Sequence, residues 1–233
     1  MGFRKLWATL LITTAIIVVE LFALPEQLAI LNTYPHFAPR DIISLIAFLQ
    51  LPLGPATWLS APELRTPLLL ILLAPARIFL HISPLHAMLM MLGLWVAGPA
   101  TERRFGSIGM IGLFLLGGIA PTLIGQIALA VAPQSPLAVG LGGSMPGEWI
   151  AGAGAGIFAL FGATLFNVIH RGESNSYFAP LIAPMMFYGA IDFLVPGDWS
   201  QVNAFGYAAG TLAAFAVSRM RSQEARPILI GTG

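Results

Sequence analysis

The residues able to do chemistry fall in four short segments of an otherwise apolar chain. Two histidines open the first, His81-Ile-Ser-Pro-Leu-His86. Glu102-Arg-Arg104-Phe-Gly106 follows, then Gly152-Ala-Gly154-Ala155-Gly-Ile-Phe158-Ala-Leu-Phe-Gly162, then Asn203-Ala-Phe-Gly206-Tyr-Ala-Ala-Gly210. Ser144 sits apart, in Gly142-Gly-Ser-Met-Pro-Gly. A serine hydroxyl becomes a useful nucleophile only when an adjacent base takes its proton. The resulting oxyanion needs placed donors, and losing one costs about 10²–10³ in rate. Spacing decides whether such parts can meet. His81 and His86 would stand about 140° apart around a helix, so they do not share a face. A pair of zinc ligands four residues apart would. Each therefore reads as a buried, hydrogen-bonded imidazole. The chain has no cysteine, hence no thiol nucleophile, disulfide or Cys-based metal site. No metal and no cofactor are expected.

Taken in order along the chain, these segments resemble the framework of the rhomboid intramembrane serine proteases, over residues 70–220. His81, His86, Glu102, Arg104 and Gly106 match the second helix of that family and the Glu-x-Arg-x-Gly after it. Gly152, Phe158 and Gly162 match its fourth helix, and Gly206 and Gly210 its sixth. The resemblance implies a serine at position 154, a histidine at 203 and an asparagine at 90. This chain has Gly154, Asn203 and Met90 there. None of them supplies a hydroxyl, a base or, for Met90, an N–H. The expectation drawn is a pseudoprotease, not an enzyme, with a cavity widened at Gly154. Ser144 is the nearest serine, in a flexible turn rather than at a helix start. The framework glycines need no site, since small residues let membrane helices approach closely. Glu102 and Arg104 are expected to form a structural salt bridge, in preference to a merely solvated helix end.

The elements that must position these residues are membrane spans. Of 233 residues, 57% are hydrophobic and 9% charged, against about 25% charged in soluble domains. Mean hydropathy is +0.84. Too few charges remain to cover a water-soluble surface. A net charge of +1 gives no reason to expect a nucleic-acid partner. Spans of roughly 20 apolar residues are predicted over 6–24, 85–100, 108–131, 150–169, 177–195 and 202–220. Two shorter apolar runs, 42–53 and 68–74, read as interfacial helices of a long first loop. Six spans place Arg4, Lys5, Arg103, Arg104, Arg171, Arg219, Arg221 and Arg226 on one side, and Arg40, Arg65 and Arg77 on the other. The positive-inside rule makes the first side cytoplasmic, with both termini. Glu20, near the outer end of the first span, reads as a snorkelling or helix-packed carboxylate. The segment 132–149, rich in Pro and Gly, caps the outer side.

The predicted fold is therefore all-α: a polytopic six-helix rhomboid-like bundle (residues 1–221) with a long outer first loop and a short tail, 222–233. An integral protein of the bacterial inner membrane is expected, with lipids and transmembrane helices as partners. The favoured function is binding the transmembrane helices of client proteins. The second reading is a fixed subunit of a larger membrane complex, and the third a protease with a displaced site. A binding face is expected on the second and fifth spans, at Met88, Met91, Trp95, Met185, Met186 and Phe187. Met90 and Leu94 are placed there too.

Overall fold

A computed structural model of the chain describes residues 6–33, 84–132, 153–171, 182–186 and 200–224, with positions 75, 78, 79, 81 and 134–136 between them. The described residues hold helices and turns and no strand. Four long helices follow one another: α1 (Trp7–Thr33), α2 (Pro84–Val131), α3 (Gly154–Arg171) and α4 (Ser200–Glu224).

α2 contains two of the predicted spans. Its 48 residues would stretch about 70 Å if straight, more than twice a hydrocarbon core. The chain breaks direction at Gly106, where φ is 77° and ψ 167°. That combination is essentially closed to residues with a Cβ. The Pro84–Gly125 stretch is long and apolar enough to cross a membrane, and Trp7–Leu21 and Gly154–His170 are shorter apolar helices. α1 runs on through Pro25 to Thr33, beyond the end expected at residue 24. The fifth predicted span is described only at 182–186. The two interfacial runs, most of the 132–149 segment and the tail beyond residue 224 lie outside the described residues, whereas 222–224, predicted to begin the tail, continue α4.

α3 is the centre of the bundle. Every residue from Ala153 to Thr164 is buried, the pattern of a helix apolar on all sides and covered on all sides. Small residues set its distance from its neighbours. On α4, a Cβ at Gly206 would collide with the Ala155 carbonyl, and one at Gly210 with the Ala159 carbonyl. In return, Gly162 faces the Tyr207 carbonyl. On α2, the Phe114 carbonyl would lie 2.7 Å from a Cβ at Gly156. Backbone thus meets backbone along both seams. Such close approach supplies packing where lipid offers no hydrophobic advantage to association. Polar contacts join it: Thr101 Oγ1 donates to the Leu160 carbonyl at 3.2 Å and lies 3.2 Å from Thr164 Oγ1. Met90, Leu94, Met110, Phe114, Ile157, Leu160 and Phe161 fill the space between α2 and α3. α1 joins through Ala8, Ile12 and Ile16, all buried.

Candidate functional site

At one end of the bundle, the Glu102 carboxylate serves the first turn of α1. The leading N–H groups of a helix have no partner within it and favour negative charge. Glu102 Oε1 accepts from the Ala8 N–H at 2.8 Å, and Oε2 from the Thr9 N–H at 3.1 Å and the Thr9 hydroxyl at 2.8 Å. Ser107 donates to Oε1 at 2.6 Å. A side chain of α2 thereby caps α1. The expected Glu102–Arg104 salt bridge does not form; backbone donors occupy the carboxylate, and Arg104 is half-buried beside Gly106. The motif therefore ties α1 to α2 and kinks the chain at Gly106.

The second polar cluster is built on His81, fully buried just before α2. The Ala153 N–H donates to its Nε2 at 3.3 Å. A backbone amide can only donate, so Nε2 presents its lone pair and the ring proton sits on Nδ1. Nδ1 donates to the Phe79 carbonyl at 3.1 Å. Glu20 Oε1 lies 3.2 Å from the same Nδ1, but neither Glu20 carboxyl oxygen accepts a well-formed hydrogen bond among the described residues. His86 packs edge-on against His81, with ring centroids 5.3 Å apart. The two histidines thus meet although they do not share a helix face, because His81 precedes the helix.

The third cluster joins the start of α3 to α4 and α2. A Cβ built on Gly154 would lie 2.7 Å from Asn203 Oδ1 and 3.6 Å from Met90 Sδ. All three residues are buried. Positions on three different helices therefore converge on one point. The space that the missing side chain at Gly154 would take is not left open, because the Asn203 carboxamide oxygen stands against it. Glycine, asparagine and methionine offer no hydroxyl and no titratable base, so chemistry here would draw its nucleophile and base from other residues. Ser144, Gly152 and Phe187 lie outside the described residues. Phe158 is buried on α3 with its ring 6.0 Å from that of Phe161.

The expected binding face divides. Met88, Trp95, Met185 and Met186 are exposed, at 55%, 43%, 75% and 62%, and Met91 is half-buried. Met90 and Leu94 belong to the core instead. Their positions on α2 face α3, one side round from Met88 and Trp95. Ile17, Glu20 and Leu21 of α1, with Pro84, Ala87, Met88 and Met91 of α2, line a groove of about 200 Å³. Glu20 is its one ionisable residue, and its side chain is 14% exposed. Read along the sequence, Glu20 carries no signal of this role, because its nearest polar neighbour, His81, belongs to another element.

The Rhomboid domain family model matches residues 73–224, which takes in α2, α3, α4 and all three converging positions. The chain belongs to the rhomboid family and is an integral membrane protein. No curated protein matches the chain, and no solved structure does. Membership corrects one expectation. Members of this family are typically intramembrane serine proteases, so the expectation that the chain is not an enzyme does not stand. It rested on three positions, and three positions do not exhaust the hydroxyls and imidazoles of the chain.

Proposed function

We propose that this rhomboid-domain protein binds the transmembrane helices of other membrane proteins, within a six-helix bundle of the bacterial inner membrane whose termini face the cytoplasm. The observation that carries the reading is the exposed, methionine-rich face. Met88 and Trp95 on α2 and Met185 and Met186 beyond α3 are large apolar side chains left exposed. Methionine is unbranched and adapts to varied shapes, which suits a surface that accepts different helices. Lipid tails are as apolar as a client helix, so selectivity must come from close packing and from polar contacts. Binding is the step proposed; intramembrane proteolysis, the family's typical activity, requires it as well.

We further propose that Met90, Gly154 and Asn203 occupy the family's oxyanion, nucleophile and base positions. His81, His86, Glu102, Arg104, Gly106, Gly152, Phe158, Gly162, Gly206 and Gly210 then form the surrounding framework. The convergence of the three positions supports this correspondence.

Photo-crosslinking residues at Met91 and Met186, tested in native membranes, check the binding face. Membrane spans of other proteins should be captured at both sites and not at Leu212, an exposed position on α4. Adducts to lipid alone, or equal capture from Leu212, would remove this face from consideration. One partner recovered in fixed stoichiometry would identify a complex subunit, and many partners a handler of clients.

A further inference from the structure

We propose that the groove between α1 and α2 selects a transmembrane helix carrying a basic side chain, lysine or arginine, which Glu20 receives. This rests on the helix-binding function proposed above and names its polar determinant. The groove is walled by Ile17, Leu21, Ala87, Met88 and Met91, surfaces that fit the apolar flank of a helix. Ile17, Leu21 and Met88 are exposed, so the wall is open to the bilayer. Within it stands one carboxyl group.

Ionisable residues inside a membrane are costly and pair with one another or with backbone groups. Glu20 is incompletely paired. Both its oxygens are buried, and neither accepts a well-formed hydrogen bond among the described residues. The nearest donors belong to His81: its Nδ1 at 3.2 Å and its backbone N–H. The ring cannot give Glu20 a full bond. Ala153 donates to Nε2 and so keeps the single ring proton on Nδ1, and the Phe79 carbonyl already takes that proton. For the same reason His81 is a poor counter-cation, because protonating Nε2 would aim two N–H groups at each other. The carboxyl group therefore retains acceptor capacity facing a groove that is otherwise apolar. A turn of its side chain, which lines the groove, brings an oxygen to an incoming ammonium or guanidinium. A charge-assisted bond of that kind is shorter and stronger than one between neutral groups. It also rewards the cation only at one depth along the visiting helix, which sets register as well as identity. An apolar helix would leave the carboxyl group as it is and gain packing only.

The test uses the full chain in phosphatidylcholine vesicles, whose headgroups have no N–H to offer. A photo-crosslinking residue replaces Met88. The probes are Leu/Ala transmembrane peptides, with one lysine moved residue by residue along the span and an all-Leu/Ala control. Crosslinking should peak at one lysine depth, at least fivefold over the control. Glu20→Gln should bring that peak down to the control level, while Glu20→Asp should keep part of it. Equal capture of lysine and control peptides by the chain that keeps Glu20 overturns the inference by itself. So does a peak that survives Glu20→Gln, or a crosslink that runs to residues 34–74 of the chain itself. A peak abolished by adding phosphatidylethanolamine would assign the site to a lipid amine and also overturn it. If both peptides are captured equally, helix binding stands and only the selection fails. If neither peptide is captured at Met88 or at Met186, helix binding itself fails.

Discussion

Asn203 and Gly154 show how one side chain can decide what another position holds. The Asn203 carboxamide oxygen would stand 2.7 Å from a Cβ at 154, below any ordinary van der Waals separation. Gly154→Ala therefore has to turn the carboxamide aside, and because the obstacle is the end of a side chain the cost falls at the bottom of the overpacking range, about 1 kcal/mol. Removing the obstacle should remove the cost. In a double-mutant cycle, Gly154→Ala in an Asn203→Ala background should be at least ~0.5 kcal/mol less destabilising than in the unmodified chain. The measurement is reversible unfolding in mixed micelles, and additive effects would show that the two residues do not touch. That both positions belong to one framework was suggested by the sequence, because glycines and aromatics at fixed spacing flank both. The contact was not. The sequence presents Gly154 as a vacancy, and only the placement of α4 shows that a neighbour occupies it. Glu20 was hidden for a similar reason. A lone acid in an apolar run is indistinguishable from a snorkelling one until the element packed against it is known.

At the scale of elements, the glycines of α4 and α2 look alike in the sequence and differ in the structure. Gly206 and Gly210 are pressed onto carbonyls of α3, whereas a Cβ at Gly112 would meet nothing within 4 Å. Backbone cannot turn aside as a flexible side chain can. Gly210→Ala must separate α3 from α4 and should cost at least ~2 kcal/mol, the upper part of the overpacking range. Gly112→Ala meets no obstacle and removes the entropic penalty of glycine in a helix, so it should stabilise by about 0.5–1 kcal/mol. Opposite signs from the same substitution, read by thermal unfolding in detergent, are the expected result. Two losses of similar size would mean that the seams are not as close as described. The apolar helices of the described residues were readable because long apolar runs have few alternatives to a membrane helix. Their ends were less so. Gly106 could be recognised as a break, but Pro25 reads as a stop and α1 passes through it. A proline forfeits one hydrogen bond, and the helix continues past that loss.

The whole molecule carries its basic residues unevenly, and this gives a prediction about orientation. With six spans, eight of the 11 Lys and Arg residues fall on one side, and that side should be cytoplasmic. The chain has no cysteine, so a single introduced thiol is the only one to react. Ser222→Cys and Gly2→Cys should resist a membrane-impermeant maleimide in intact cells and react after permeabilisation. Thr66→Cys should react at once. Labelling of Gly2→Cys and Ser222→Cys on opposite sides would require an odd number of spans and would rule out the six-span topology.

The cap that Glu102 places on α1 also has a consequence in time. Its partners Ala8 and Thr9 precede it by 94 and 93 positions in the chain. At about 5–20 residues per second of synthesis, that separation corresponds to roughly 5–20 s between the emergence of the two halves of the contact. During this interval the first helix has left the ribosome with amide groups that its eventual partner cannot yet reach. Whatever meets a nascent chain at the membrane, an insertase, a lipid phosphate or a protease of quality control, meets α1 in that state first. A ribosome stalled before residue 102 has left the exit tunnel would hold the helix there, and one stalled after that residue has emerged would let it close.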